Sequence, residues 1–398
     1  MEFVYFGSLV EQPMRKIAFL SHLDLNLYLF RLDLMKTLLS KGWKVYALFP
    51  GGAYSEKMKE YGIECVHYKI ERKSLNPLKE IRAIFDIKTK LIQIKPHILH
   101  TFTVKPNTYG TIAGKMARVP IIVNSVTGLG SFFVENSLKA QVIRKIILKL
   151  YKFTMQYLNA VIFQNQDDMS FFINKKILKK EKAILIKGSG IDTELWRPIE
   201  KKQKNTIKII SIARLIKHKG IEEYLRVAEI LKKEFKNKVE FILIGDFYDG
   251  NPYSISKELL NRCIRNKTIT YHKWMPVENV KNILGQSDIF VLLSYREGLP
   301  RTGIEALSLG LPIITTDMPG CRELVEDGKN GFLVPVKNVD KVVEKLKLLI
   351  ENPTLRHKFG KYSRQKAVTE FDVKLIVEKH LDLYLKLLKN YESKINRN

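Results

Sequence analysis

The run Ile289-Phe290-Val291-Leu292-Leu293-Ser294-Tyr295-Arg296-Glu297-Gly298-Leu299-Pro300-Arg301-Thr302-Gly303-Ile304-Glu305-Ala306 decides how this chain folds. Residues 289–293 are uninterruptedly apolar and of strand length, which reads as a strand buried on both faces. A short helix follows, and Leu311-Pro312-Ile313-Ile314-Thr315-Thr316 brings the next strand. Strand, helix, strand implies a parallel sheet. Glu297 then lies in a loop at the C-terminal end of a strand, and Glu305 lies inside the next helix. In open parallel sheets, ligands bind in that crevice. The gap between the glutamates spans about two helical turns, so both carboxylates can face one ligand from different heights.

Two readings of the glutamates stay open. Thr302-x-x-Glu305 is also a capping box, in which Glu305 only satisfies helix donors, and Glu297 could be a solvated loop charge. Against this, Gly298 and Pro300 shape the backbone at a strand end, and the helix start beyond offers N–H groups suited to phosphate. Carboxylates there accept hydrogen bonds from vicinal hydroxyls, as a sugar presents them. A nucleotide-sugar pocket is the expectation.

Outward from this stretch the alternation continues in both directions. Strands are predicted at 16–20, 45–49, 64–68, 98–102, 121–126, 160–164 and 183–187, with helices at 27–40, 77–94, 106–118 and 138–159. A polar segment, 194–206, reads as a linker. The pattern then restarts with strands at 207–213, 239–244, 269–274, 289–293, 312–316 and 332–334, and helices at 220–235, 340–351, 354–369 and 373–391. The expected fold is α/β, with two doubly wound parallel-sheet domains over 14–198 and 199–370. A helical segment, 371–398, is expected to cross back over the first domain. Residues 1–13 read as an extension, because Met14-Arg15-Lys16-Ile17-Ala18-Phe19-Leu20 opens the first strand.

A length of 398 residues exceeds one ordinary domain, and 45% hydrophobic content supports large cores. The three cysteines, Cys65, Cys263 and Cys321, are odd in number and widely spaced, which argues against a disulfide framework or a zinc site. No Asp-x-Asp occurs, so a metal-chelated diphosphate is not signalled, and neither metal nor cofactor is expected. No apolar run reaches membrane-spanning length, and the N-terminus lacks a basic leader; a cytoplasmic location is expected.

The net charge is +27, spread evenly along the chain except for a local excess, 11 basic against 3 acidic residues, over 138–187. Within it, Val142, Ile146, Leu150 and Phe153 recur at helical spacing, punctuated by Arg144, Lys145, Lys149 and Lys152. Helix 138–158 is either a surface helix with a solvated basic face or a contact with an anionic membrane. Nucleic acid is not an expected partner. That reading leaves the paired glutamates unexplained, and the basic residues lack the interleaved aromatics of a single-strand platform. A nucleotide-sugar epimerase shares the two-domain shape but has no use for a basic lipid-facing helix.

Arg214 and Lys219 bracket the loop after the first strand of the second half. Arginine binds two oxygens at once and lysine supplies a point charge, a combination that suits a diphosphate; two surface cations in a lysine-rich chain is the competing reading. No G-x-G-x-x-G follows the first strand, so the dinucleotide fingerprint is absent. Gly128-Leu129-Gly130 is either an ordinary turn or a close approach to a diphosphate.

Taken together, Arg214-Leu215-Ile216-Lys217-His218-Lys219-Gly220, Glu297 with Glu305, and Pro319-Gly320-Cys321-Arg322-Glu323-Leu324-Val325-Glu326-Asp327-Gly328-Lys329-Asn330-Gly331 resemble the donor half of the retaining glycosyltransferases of family 4. Gly190-Ile191-Asp192-Thr193 and Trp196-Arg197-Pro198 resemble that family's inter-domain segment. The resemblance implies a GT-B fold, with two Rossmann-like domains facing across a cleft. It implies that Arg214 and Lys219 hold the diphosphate of a UDP-sugar and, with Glu297, serve the reaction itself. Glu305 would take the ribose hydroxyls, and Glu297 the donor sugar, with Gly298, Leu299, Pro300, Arg301 and Thr302 beside it.

In the first half, Phe19-Leu20-Ser21-His22, Phe30-Arg31, Ser74-Leu75-Asn76-Pro77, Lys105 with Asn107, and Gly128-Leu129-Gly130-Ser131-Phe132 resemble one bacterial subgroup. Its members add α-1,3-linked N-acetylgalactosamine to an undecaprenyl-diphosphate-linked amino sugar. Similar words occur in capsule and exopolysaccharide transferases. The implied acceptor residues are His22, Arg31, Lys105, Asn107, Gly128 and Gly130, with His100 a further candidate. The implied setting is the inner face of a bacterial plasma membrane. Thr101-Phe102-Thr103-Val104 departs from the subgroup by lacking a histidine before Lys105.

Overall fold

Apolar runs become parallel strands throughout the chain. The computed structural model describes residues 14–70, 76–130, 133–135, 137–200, 206–247 and 250–396. The proposed 1–13 extension, together with Ser74, Leu75, Ser131 and Phe132, lies outside the described residues. The first sheet contains β1 (Lys16–Leu20), β2 (Lys44–Phe49), β3 (Glu64–His67), β4 (Ile98–Phe102), β5 (Ile121–Val126), β6 (Ala160–Phe163) and β7 (Ala183–Leu185). The second contains β8 (Ile207–Ile212), β9 (Val239–Ile244), β10 (Thr270–His272), β11 (Ile289–Leu292), β12 (Ile313–Thr316) and β13 (Gly331–Val334). All the predicted strands form, with ends within two residues of expectation.

Strand order is β3-β2-β1-β4-β5-β6-β7 in the first sheet and β10-β9-β8-β11-β12-β13 in the second. In each, the first strand pairs in parallel with the second on one side and with the fourth on the other. Ile17 sits opposite both Val45 and Ile98, and Ile209 opposite both Phe241 and Ile289. The winding direction reverses there, between β1 and β4 and between β8 and β11. Such a switch point leaves a crevice at the strands' C-terminal ends.

By compactness the chain divides into Met1–Val123 with Tyr384–Asn398, and Asn124–Leu383. In the first unit, Ile17, Ala18, Phe19, Leu20, Ile98 and Leu99 are sealed from solvent, as strands covered on both faces must be. In the second, the helix Ile221–Phe235 buries Ile221, Tyr224, Leu225, Ala228 and Leu231, the three- and four-residue spacing of a core-facing stripe. The Tyr224 hydroxyl lies 2.8 Å from the carbonyls of Ile209 and Ile242 and ties that helix to β8 and β9. The second unit reaches back to Asn124 because the loops after β5 and β6 pack on the loop after β11. Asn165 Nδ2 donates to the Gly298 carbonyl at 2.7 Å.

The helices differ from expectation in several places: the one predicted at 27–40 starts at Asp24, and the one predicted at 138–159 ends at Met155. The helix predicted at 106–118 runs Val104–Met116, with Thr103 before it and Pro106 in its first turn; proline is tolerated there because an N–H in that turn has no helical partner. Short helices not singled out in the sequence, Ser55–Lys59, Gln166–Asn174, Lys257–Arg265 and Val277–Gly285, connect strands. The helix predicted to end at 369 stops at Lys366 and passes into a π-turn, Ala367–Phe371. The final helix, Val373–Ile395, follows. Ile191 pins that junction, donating to Phe371 O at 2.9 Å and accepting from Val373 N at 2.8 Å. No helix among the described residues is long and apolar enough to cross a membrane.

Candidate active site

The crevice at the second switch point is built from loops that touch through glycine. After β8 the chain turns through Lys217–Lys219 into Gly220, which has φ +68°. A Cβ at Gly220 would lie 2.2 Å from the Leu293 carbonyl oxygen, at the end of β11; glycine alone permits that approach. It brings the Lys219 ammonium onto the Glu297 carboxylate as a hydrogen-bonded ion pair with both side chains largely buried. Arg214, on the same loop, is exposed and forms no ion pair among the described residues.

The loop carrying Glu297 is fixed from three sides. Glu297 N–H donates to Pro319 O at 3.0 Å, and a Cβ at Gly320 would meet the Glu297 carbonyl oxygen at 2.4 Å. A Cβ at Gly298 would lie 2.0 Å from Thr127 O, and one at Gly188 would lie 2.8 Å from Leu299 Cδ2. The helix Arg301–Ser308 starts directly after Pro300, so its first N–H groups, which lack helical partners, open onto this loop. The capping box does not form. The Thr302 hydroxyl donates to Ile212 O at 3.3 Å, and the carboxylate of Glu305 accepts from Arg301 Nε at 3.1 Å. Burial pushes the Glu305 carboxyl above its usual range, and the Arg301 charge opposes that shift.

Thus Lys219, Glu297, Gly298, Leu299, Pro300, Arg301, Thr302 and Glu305 share one locus, with Arg214 at its exposed edge. Gly128 also belongs here. Its φ is +121° and a Cβ would lie 3.0 Å from Gly298 N, so its close approach is to protein backbone. Gly130 has φ +77°, and among the described residues nothing lies within 4 Å of a Cβ placed on it. Cys321, beside the locus, is held inert, its thiol pushed up to about 12 by burial and by the Glu297 charge. No group of three metal-ligating side chains is clustered among the described residues.

Sequence reasoning missed the second layer. Asp168, 1% exposed, is ion-paired with Arg296, the neighbour of Glu297. Asn165 accepts from Asp168 N at 2.8 Å, capping the helix Gln166–Asn174, while its amide holds Gly298. Arg322 pairs with Asp167 at 2.8 Å, and Glu323 accepts from Gln166 N at 3.1 Å and pairs with Lys187 at 3.0 Å. Asn165-x-x-Asp168 after an apolar run is an N-cap signal legible in the sequence; nothing local announces that Asp168 is buried against Arg296.

The acceptor candidates of the first unit divide in two. At the β1/β4 switch point, His22 Nδ1 lies 2.7 Å from the Thr103 hydroxyl. Thr103 has φ 73° and ψ 167°, a region that essentially only glycine occupies without strain. Lys105 pairs with Glu80 at 2.8 Å. The others lie inside the fold. Arg31, 5% exposed, stacks its guanidinium 4.6 Å from the Phe102 ring centre. Asn107 is sealed from solvent and accepts from the Thr101 hydroxyl at 2.7 Å, and His100 is buried against the Tyr384 hydroxyl at 2.6 Å.

Comparison with known proteins fits this geometry. Residues 192–366 match the family model described as glycosyl transferases group 1, and 16–165 the model described as glycosyl transferase 4-like. The chain is 32% identical over 388 residues to the N,N'-diacetylbacillosaminyl-diphospho-undecaprenol α-1,3-N-acetylgalactosaminyltransferase of Campylobacter jejuni, covering 94% of this chain and 100% of that one. The chain belongs to the group 1, 4-like glycosyltransferase family.

This glycosyltransferase is also 25% identical to the capsular polysaccharide biosynthesis glycosyltransferase CapM of Staphylococcus aureus, over 85% of this chain and 90% of that one. Its fold is that of solved GT-B enzymes. Sucrose-phosphate synthase from Thermosynechococcus elongatus superposes with a TM-score of 0.78 at 17% identity, over 94% of this chain and 100% of that one. Anabaena Alr3699/HepE, solved with UDP, superposes with a TM-score of 0.74 at 18% identity over the same shares.

Proposed function

We propose that this glycosyltransferase moves a sugar from a UDP-sugar to the hydroxyl of a polyprenyl-diphosphate-linked amino sugar, with retention at the anomeric carbon. N-acetylgalactosamine in α-1,3 linkage to an undecaprenyl-diphosphate acceptor is the specific reading. The observation that carries it is the 32% identity running the whole length of the Campylobacter transferase. The locus at the second switch point supplies the chemistry. Arg214 and Lys219 neutralise the donor diphosphate as it leaves, aided by N–H groups at the start of the helix Arg301–Ser308. Preorganised donors and charges of this kind contribute about 2.7–4 kcal/mol each to lowering a barrier. Glu297, held by Lys219, orients the donor sugar, and Glu305 accepts hydrogen bonds from ribose hydroxyls. A departing diphosphate oxygen takes the acceptor's proton, so no protein base is assigned, and the reaction is metal-independent. The enzyme works from the cytoplasm, peripherally on the inner face of a bacterial plasma membrane.

A capsule or exopolysaccharide transferase with a different sugar is the second reading, favoured by the match to CapM. One experiment separates the two. UDP release is measured from a panel of UDP-sugars, in detergent with a chelator, with and without a polyprenyl-diphosphate-linked amino sugar. Acceptor-dependent release from UDP-N-acetylgalactosamine, unchanged by the chelator, is expected. Acceptor-dependent release from another UDP-sugar favours the second reading, and no release from any donor overturns both.

A further inference from the structure

The helix Leu138–Met155 is amphipathic in an unusual sense, because its outward face is apolar. Leu138, Val142, Ile146 and Phe153 are 81%, 56%, 51% and 51% exposed, and Leu150 and Tyr157 are 38% exposed. They recur every three or four residues and form one stripe. The opposite face, Ala140, Tyr151, Thr154 and Met155, is buried, so the stripe is not a core face turned the wrong way. Lys139, Lys145, Lys149 and Lys152 are exposed on the same helix, and no Asp or Glu occurs between Glu135 and Asp167.

Lys152 also lines a depression of about 600 Å³ at the end of this helix, with Lys176, Lys179, Lys180 and Lys182 over an apolar floor that includes Met155 and Ile177. The acidic residue in this stretch is Glu181, which is exposed. Lys182 donates to Gln156 O at 3.0 Å, anchoring it to the helix end. Burial, and then the charge of Lys179, push the Lys182 ammonium below its usual range. Gathering five ammonium groups around one depression is unfavourable until an anion enters it.

We propose that the lysine-lined depression is a binding site for the phosphate of an anionic phospholipid, and that the adjoining stripe inserts beside it into the acyl boundary. The charge complementarity decides the occupant. An apolar stripe without acidic residues, edged by lysines whose stems can lie along it, matches a negatively charged lipid surface. A second copy of this chain would bring the same lysines against each other. The proposal deepens the lipid-linked-acceptor reading by naming what holds the enzyme at the membrane, and it can fail or stand independently of it.

Flotation of the full chain with vesicles tests it. The wild type is expected to float with phosphatidylcholine vesicles containing phosphatidylglycerol, to stay at the bottom with pure phosphatidylcholine, and to detach as salt is raised. The triple variant Lys176→Glu, Lys179→Glu, Lys180→Glu is expected to lose more than about tenfold in bound fraction. Val142→Glu with Ile146→Glu is expected to lose flotation even at low salt. Both variants should keep the wild-type melting shift with UDP, which shows that they are folded.

Wild-type flotation that ignores the anionic lipid, or a lysine variant that floats like the wild type, overturns the proposal. So does stabilisation by inorganic phosphate without flotation, which marks a free-anion site, or sedimentation as a dimer without flotation, which marks a protein interface. Transfer to a short-chain, water-soluble acceptor separates the two readings. Flotation without such transfer sinks the acceptor assignment alone, and transfer without flotation sinks the membrane site alone.

Discussion

At the first sheet's switch point an imidazole meets a hydroxyl, His22 against Thr103, across the ends of β1 and β4. At the second, an ammonium meets a carboxylate, Lys219 against Glu297, across the ends of β8 and β11. One winding rule makes both crevices, yet their contents differ in kind. The first stores its cost in the backbone at Thr103. The second stores its cost as charge held out of water, backed by a further buried pair, Asp168 with Arg296. A parallel sheet therefore supplies a place, and the side chains at its strand ends decide which chemistry the place serves.

The comparison breaks most visibly at Asp168. Asp168→Ala leaves the Arg296 guanidinium buried without its partner, and a loss of about 3–5 kcal/mol is expected. Urea denaturation checks it; an unchanged midpoint would show that the loop beside Glu297 does not depend on this pair. Next comes Lys219→Ala, for which kcat/KM is expected to fall by about 10²–10³, and the urea midpoint to fall as well, because the largely buried Glu297 carboxylate loses its partner. A tenfold smaller effect would remove the lysine from the reaction. Thr103→Gly relieves the strained backbone at the first switch point and is expected to raise stability by about 1 kcal/mol; a less stable protein would refute the strain.

The smallest effect is a pH profile. Folding raises the Glu305 carboxyl above its ordinary value, so the folded state holds that proton more tightly than the unfolded state. This contribution is fully present below the ordinary carboxylate pKa and fades as pH rises through the raised one. Glu305→Gln is therefore expected to flatten the decline in stability from acid to neutral pH, measured by thermal melts. A profile parallel to that of the wild type would place the shift elsewhere.

The strands were legible because each is a short apolar run ending in turn residues, and burial on both faces leaves no other reading for 289–293. The cluster at the second switch point was legible because Arg214 with Lys219, and Glu297 with Glu305, fall in two short runs that each follow a strand of one sheet. The candidates in the first half were less so. Arg31 and Asn107 carry the side chains a ligand would want, but a stacking ring and a neighbouring threonine claim them inside the core, and single-sequence patterns do not register such partners. The Asp168–Arg296 pair was invisible for the same reason, since it joins residues far apart along the chain. The short helix Gln166–Asn174 passed unnoticed because three acidic or amide residues at its start resemble a polar loop.

Tyr384 is wholly buried and belongs with the first compact unit, where its hydroxyl meets His100. A nascent chain that has emerged as far as β11 holds every strand of that unit and still lacks the ring that closes it. Synthesis from the N-terminus lets domains fold in order of appearance; here the order is inverted for one of them. The part of the protein translated first is the last to be completed, and until Tyr384 leaves the ribosome His100 waits with an unfilled position beside it.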